Sequence, residues 1–406
     1  MDFYDFKLGD CLSMIENGAT IKQQKGSKGL PITRIETLSN NRFNRDRLGY
    51  ADIFDANKYS HYILDDNDIL MSHINSKAFL GRSVLYKRHG NEQIIHGMNV
   101  LRIKTKKDIL DQEYAYYYFQ TSFFKKNIHN IRKDAVNQSS INISDIKDII
   151  IHIPSLKDQK NIVTVLSNID CKIALNRQIN DNLEAMARQL YDYWFVQFDF
   201  PDEKGKPYKS NGGKMVWNEE LMRNIPSSWN VQPIGDILDR YTTTKKYTTK
   251  EYLSYGNYPI IDQGDSYIVG FTNESDNLLT RHPAVLFGDH STKVKYLDFD
   301  FARGADGTQI LYSNNECVSE HYLYFYVKSL NIPNPGYSRH FKYLKSFPII
   351  VPAKVTIARF ERIVNSLFKK WTQNIFQDIE LSKQRDELLP LLMNGQATVN
   401  YHLSDD

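Results

Sequence analysis

Residues 155–198, SLKDQKNIVTVLSNIDCKIALNRQINDNLEAMARQLYDYWFVQF, constrain this chain more than any other stretch. From Ile162, the positions Ile162, Leu166, Ile169, Ile173, Asn176, Asn180, Leu183, Ala187, Leu190 and Trp194 follow at alternating steps of four and three. That spacing is the seam of a coiled coil, broken in the middle by two asparagines. The stretch opens just after Pro154, offers Ser155 and Asp158 as first-turn residues, and contains no Gly or Pro. At 1.5 Å per residue, such a helix is roughly 60 Å long. A rod of that length with one apolar side predicts a partner helix; the seam alone would also suit a long core helix.

The partner lies in the same chain. The seam reappears as Phe360, Val364, Leu367, Trp371, Asn374, Asp378, Leu381, Arg385, Leu388 and Leu392, with Asn176 falling on Asn374 and Pro154 on Pro352. The approach to each proline matches in character: DIKDIIIHIP (145–154) against YLKSFPIIVP (343–352). EYAYYYFQTSFF (113–124) answers SEHYLYFYVKSL (319–330), and LGDCL (8–12) answers IGDIL (234–238). The chain is therefore a duplication of a globular unit followed by a long helix. The offset between copies falls from Leu8/Ile234 to Asn176/Asn374, so the second globular part is the shorter one.

With 406 residues, the chain fits two domains of about 120–150 residues plus two helices. Its 41% hydrophobic content suffices for cores, and a mean hydropathy of −0.50 argues for a soluble chain. The apolar runs, such as Ile149–Ile151, are far too short to span a bilayer, and no charged-then-apolar leader opens the chain, so a cytoplasmic location is expected. Cys11, Cys171 and Cys317 lie far apart and support neither a disulfide framework nor a zinc site.

A net charge of +3 is mild, but its distribution is informative. Between Thr20 and Tyr50, Lys22, Lys25, Lys28, Arg34, Arg42, Arg45 and Arg47 face only Glu36 and Asp46, amid Gln, Asn, Ser and Gly. The second copy has Lys245, Lys246 and Lys250 within YTTTKKYTTK (241–250). Further basic stretches are SHINSKAFLGRSVLYKRHGN (72–91), GDHSTKVKY (288–296) and SRHFKYLK (338–345). One basic run is usually a solvated face. Two sets at matching places in a duplicated chain point to phosphate contact. Arg or Lys suits guanine and Asn or Gln suits adenine in the major groove. Base-reading candidates are Asn40, Asn41, Arg42 and Arg45 in the first copy, and Lys245, Lys246, Lys293 and Arg339 in the second. Lys25, Lys28, Lys77, Arg82, Lys250 and Lys295 read as phosphate clamps, and His73 and His290 occupy corresponding basic stretches.

Catalytic signatures are missing. NPGY (334–337) lacks the second proline of an adenine-methyltransferase loop and reads as a turn. There is no GxxxxGK[ST] phosphate loop, HExxH or paired Cys/His spacing, so neither ATP hydrolysis nor a metal site is expected on this chain. DEK (202–204) has the look of half a magnesium-nuclease site but sits in a Pro/Gly-rich stretch with no strand to position it.

NRQINDNLEAMARQLYDYWFVQFDFP (176–201), GKPYKSNGGKMVWNEELMRNIPSSWNVQPIGDIL (205–238) and QRDELLPLLMNGQATV (384–399) resemble the specificity subunit of Type I restriction-modification enzymes. The helix start at Ile153–Gln159 is similar to that family's motif. The resemblance implies an α+β chain: two pseudo-repeated target-recognition domains separated by two long antiparallel coiled-coil helices. The expected boundaries are 1–154 and 225–352 for the recognition domains, 155–198 and 353–400 for the spacer helices, and 199–224 for a crossover linker. The segment 199–230 reads as an extended crossover, with Trp217 and Trp229 pinning it to a surface. Each domain would read one half of a split, asymmetric site on double-stranded DNA, and the helices would set the gap. The chain itself would be non-catalytic and carry no cofactor. Two modification subunits, binding S-adenosylmethionine and methylating adenine N6, would dock on the helices. Restriction subunits using ATP and Mg would complete the nuclease.

Asn176 and Asn374 either fix helix register or face the modification subunits. Tyr191, Tyr193, Trp194 and Phe195, with Leu388, Leu389 and Leu392, are more apolar than a two-helix rod requires, which predicts that partner helices cover part of that surface. The competing readings are a stand-alone endonuclease, disfavoured by the missing motifs, and a helical scaffold whose basic loops are solvated faces. A heptad added to both helices, after Leu183 and after Leu381, separates these readings: the recognition subunit alone predicts a longer gap.

Overall fold

The computed structural model describes residues 1–21, 28–39, 42–134, 138–239, 244–332 and 339–399. It divides into two compact units, Met1–Cys171 with Leu381–Asp406, and Lys172–Glu380. Both long helices contribute to both units. The central helix is Leu156–Tyr191, closed by a wider turn over Asp192–Val196, and the C-terminal helix is Lys354–Met393.

In the first unit, strands Leu12–Asn17, Val100–Thr105, Ile69–Ser72 and Ser83–Leu85 form an antiparallel sheet in that order, with Ile103 opposite Ile15 and Leu101 opposite Met71. The helices Gln112–Gln120 and Ser122–Asn130 cover it. Asp111 caps the first by accepting from the amides of Glu113 and Tyr114, and Thr121 caps the second. Strand Phe3–Lys7 pairs antiparallel with Ile150–Pro154, which leads straight into the central helix. Gln159 anchors that junction: its amide donates to the carbonyls of Ile109 and Pro154 at 3.0 and 2.9 Å and accepts from Asp111 N at 2.8 Å. The glutamine of the helix-start motif is thus a buried brace whose four partnering sites are largely filled.

The second unit repeats this plan. Strand Asn230–Pro233 pairs with Pro348–Val351 ahead of the C-terminal helix, and helix Glu320–Ser329 starts at the Ser319 cap. Ala284–Gly288 is flanked by Val294–Leu297 and Thr308–Leu311. A mixed sheet adds Lys246–Tyr247, Phe301–Gly304, Tyr258–Ile261 and Gly270–Thr272. Architecture and repeat agree with the α+β expectation.

The helices pair antiparallel. Within the second unit, Asn176 donates to Gln377 Oε1 and Asp378 Oδ1, both at 2.9 Å, while Asn374 donates to Asn180 Oδ1 at 2.8 Å. The internal repeat maps the contact of Asn176 with Asp378 onto that of Asn374 with Asn180. Within the first unit, Arg385 meets Asp170 at 2.8 Å, and Ile162 and Leu166 share a core with Leu389 and Leu392. Asn176 and Asn374 are each 1% exposed and their side chains are satisfied inside the pair. This is the arrangement that fixes register rather than one that faces outward. Of the seam, Ile173, Trp194, Phe360 and Val364 are also buried, whereas Ile169, Leu183, Leu190, Leu367, Trp371, Leu381 and Leu388 are half-buried.

Two expectations are corrected. The aromatic helix end needs no partner to cover it: Tyr191, Trp194 and Phe195 are buried by Trp229, Tyr322 and Phe360 of their own unit, and Leu389 and Leu392 by the first unit's core. Tyr193 remains exposed. The crossover is not simply extended, because Met215–Asn218 and Arg223–Pro226 form a hairpin. Trp229 is buried against Phe200 at 4.8 Å, but Trp217 stands opposite Asn224 on that hairpin and is 57% exposed, so it pins nothing. Asp202 of DEK caps a local turn, accepting from Lys204 N and Lys206 N at 2.8 Å each.

His96 gives the first unit a pH dependence. It is fully buried, and its Nε2 lies 2.6 Å from Val100 O. Burial pulls its pKa from the usual 6.5 down to about 4. The unfolded chain therefore takes up this proton first as pH falls. Stability present above pH 6.5 is lost down to about pH 4, to the extent of about 3 kcal/mol. Urea midpoints from pH 7.5 to 4 should decline less steeply in H96Q; parallel curves would discard the assignment.

Candidate nucleic-acid interface

In the first unit, Arg42, Arg45 and Arg82 lie at the short ribbon Leu38–Ser39/Arg42–Phe43. Arg42 is exposed on it. Arg45 is clamped: Nε donates to Glu92 Oε2 at 3.0 Å, Nη2 to Lys87 O at 2.7 Å, and the guanidinium lies 5.2 Å from the Phe43 ring centre. That pairing holds the Glu92 carboxyl down to about 2. Arg82 lies over Phe79 at 4.3 Å and reaches Leu38 O at 3.3 Å. Lys77 is exposed and 2.9 Å from Asp134, whose carboxyl is held well below its usual range by Lys77, Ser139 and Arg132. Lys28 is exposed. Lys25, Asn40 and Asn41 lie outside the described residues.

His73 belongs to the interior. It is buried, its carbonyl accepts from Ile141 N at 2.9 Å, and burial lowers its pKa, so it stays neutral. Its place in a basic stretch did not reveal this, because the strand Ile69–Ser72 just before it is buried at every position.

In the second unit, three turns converge: the one after Tyr258–Ile261, the one at Gly288–Lys293, and the one at Ala305–Gly307. Exposed His290, Lys293 and Arg339 are brought to this rim. Lys293 is 3.2 Å from Asp265, and Lys246 pairs with Asp306. Lys246, Arg303 and Arg339 hold the exposed Asp306 carboxyl below its usual range. Lys245 is set apart, between Glu251 at 3.0 Å and Glu274 at 3.1 Å and over Tyr247. Lys250 is exposed.

Lys295 departs from the phosphate-clamp expectation. It is 6% exposed, and its ammonium donates to Asp262 O and Ser266 O at 2.7 and 2.6 Å. Burial pulls its pKa down to about 8. The strand's setting explains the difference: the last three residues of Val294–Leu297 are all buried, and Lys295 lies opposite the fully buried Leu286. Sequence reasoning missed Gln263, Asp306 and the acidic partners. The glycines in IDQG (261–264) and GADG (304–307), marking tight turns, were the available signal.

Lys77, Lys245, Lys246 and Lys293 rest on exposed carboxylates in high dielectric, where such pairs are weak. A polyanion displaces such partners readily, whereas clamped Arg45 and buried Lys295 are committed to the fold.

Comparison with known proteins matches both halves of the duplication. The family model for the Type I restriction modification DNA specificity domain matches residues 1–185 and 226–380. The MjaX type I restriction enzyme specificity subunit of Methanocaldococcus jannaschii is 39% identical over 235 residues, covering 57% of this chain and 51% of that protein. The chain thus spans about half the length of that relative. The MjaIX specificity subunit of the same organism is 26% identical over 318 residues, 72% of this chain and 71% of its own. The S subunit of a Type-I restriction-modification system from M. genitalium shares the fold, with a TM-score of 0.52, 17% identity, and coverage of 97% and 96% of the two chains. With both halves of the duplication matched, the chain belongs to the Type I restriction modification DNA specificity family.

Proposed function

We propose that this chain is the sequence-reading subunit of a Type I restriction-modification complex and performs no chemistry itself. The observation that carries the reading is the duplication: two units of one plan, each with exposed cations on turns held by a sheet. A duplex read by two non-identical surfaces has an asymmetric, split site. Residues 1–154 and 225–352 serve as the two readers, 155–198 and 353–400 as the spacer, and 199–224 as the crossover.

Lys28, Arg42 and Lys77 in the first unit, and Lys246, Lys250, His290, Lys293 and Arg339 in the second, are the exposed groups suited to DNA. The repeated helix pair offers matching surfaces to two modification subunits, which would bring S-adenosylmethionine and methylate adenine N6. Restriction subunits would add ATP- and Mg-dependent cleavage, and the complex would work in the cytoplasm. Among the described residues no helix is long and apolar enough to cross a membrane.

Co-expression with the modification subunit, followed by sequencing of methylated adenines in host DNA, tests the reading. One split motif methylated once per strand is expected. A folded complex that methylates nothing would overturn it.

A further inference from the structure

We propose that Gln263 is the positioning residue of the second recognition surface, locking three turns together so that His290, Lys246 and Arg339 meet DNA as one rigid set. The proposal rests on the reading of the second unit as a half-site reader.

Gln263 Oε1 accepts from His290 N at 3.0 Å, and Nε2 donates to Asp306 O at 2.7 Å. Its own carbonyl accepts from Ser291 Oγ at 2.7 Å. The partners fix the amide's orientation, because a peptide N–H has a proton to give and a carbonyl has none. With both ends engaged by backbone, this glutamine is not the group that reads an adenine edge, although its residue type suits that task. Its role is to hold the surface.

The surroundings are built around the clamp. A Cβ on Gly307, whose φ is +81°, would stand 2.5 Å from Gln263 Nε2 and 2.6 Å from His290 Cδ2. Thr292, in the turn that carries His290, has φ +55°, a conformation a β-branched residue adopts only when its surroundings impose it. Beneath them, the Lys295 ammonium ties Asp262 O to Ser266 O across the Gln263 turn. Arg339 is linked to the same frame, since the next residue, His340, donates its N–H to Asp289 O at 2.9 Å. Lys246 is linked through Asp306, whose carbonyl Gln263 holds. Recognition tolerates only about 0.5 Å of misplacement. Releasing one amide therefore frees two turns, and with them the segments that carry His290, Lys246 and Arg339.

The test uses the full chain co-expressed with its modification subunit, in three variants. Q263A removes the clamp. Q263E keeps the acceptor for His290 N but sets an oxygen against Asp306 O. G307A pushes on the clamp from the other side. Expected is a roughly tenfold loss of discrimination at the second half-site in all three. The first half-site should stay unchanged, with thermal midpoints within a few degrees of wild type. Three variants with wild-type second-half preference overturn the proposal. So does loss of both half-sites together, or general unfolding, because either means a role in folding and not in positioning. A wild-type chain whose second half-site does not follow an exchange of residues 225–352 overturns the half-site reading itself, a separate result.

Discussion

Seven residues inserted after Leu183 and seven after Lys370 should lengthen the gap between the half-sites by about three base pairs and leave both half-sites unchanged. Seven helical residues add about 10 Å, and one base pair rises 3.4 Å. A heptad keeps the seam in phase, so each side chain returns to its own face. The positions matter because the helices are antiparallel. Asn176 meets Asp378 and Asn180 meets Asn374, four residues on against four back, so Leu183 falls opposite Trp371. The pair chosen from sequence alone, Leu183 with Leu381, is not opposed. Insertions there would slide the intervening turns past each other and pull both asparagine contacts apart. The sequenced methylome of the matched variant decides the matter. An unchanged gap would show that the helices are not the ruler, and a changed half-site would show that the insertion had disturbed a reader.

The long helices and their duplication were legible in the sequence because a seam is a local, periodic property. Apolar side chains every three or four residues have one way to be buried in a helix pair, and the two asparagines mark where the pair is polar. Their partners were not legible. That Asn176 faces Gln377 and Asp378 depends on how the chain returns, which no window of sequence contains. The candidate interface divides the same way. Basic stretches are visible as composition, and the exposed Lys28, Arg42, His290 and Arg339 belong to them. His73 and Lys295 belong to them equally, yet His73 follows a strand buried at every position, and the carbonyls of Asp262 and Ser266 hold the Lys295 ammonium inside. Gln263 was invisible for the complementary reason. A lone glutamine in a turn carries no signal until two other segments converge on its amide.

The end of the central helix shows what such convergence is worth. Phe195→Ala should destabilise the chain by about 3–5 kcal/mol, the cost of removing a large core ring from a site that cannot collapse. Phe195 is 3% exposed. Its ring centre lies 4.7 Å from Tyr322, 5.0 Å from Phe360 and 5.8 Å from Trp229, so three elements border the void. Edge-on contacts with Tyr322 and Phe360 add to the area term and are lost with it. Tyr193, two residues earlier on the same turn, is 39% exposed, and Tyr193→Ala should change stability by no more than about 0.5 kcal/mol. Urea unfolding of the two variants beside wild type measures both. The wide turn over Asp192–Val196 is what separates the two fates, sending Trp194 and Phe195 inward and leaving Tyr193 and Val196 at the surface. A stable F195A would mean that the aromatic end is not buried by its own unit. Cover by a partner helix, the expectation from sequence, would then return.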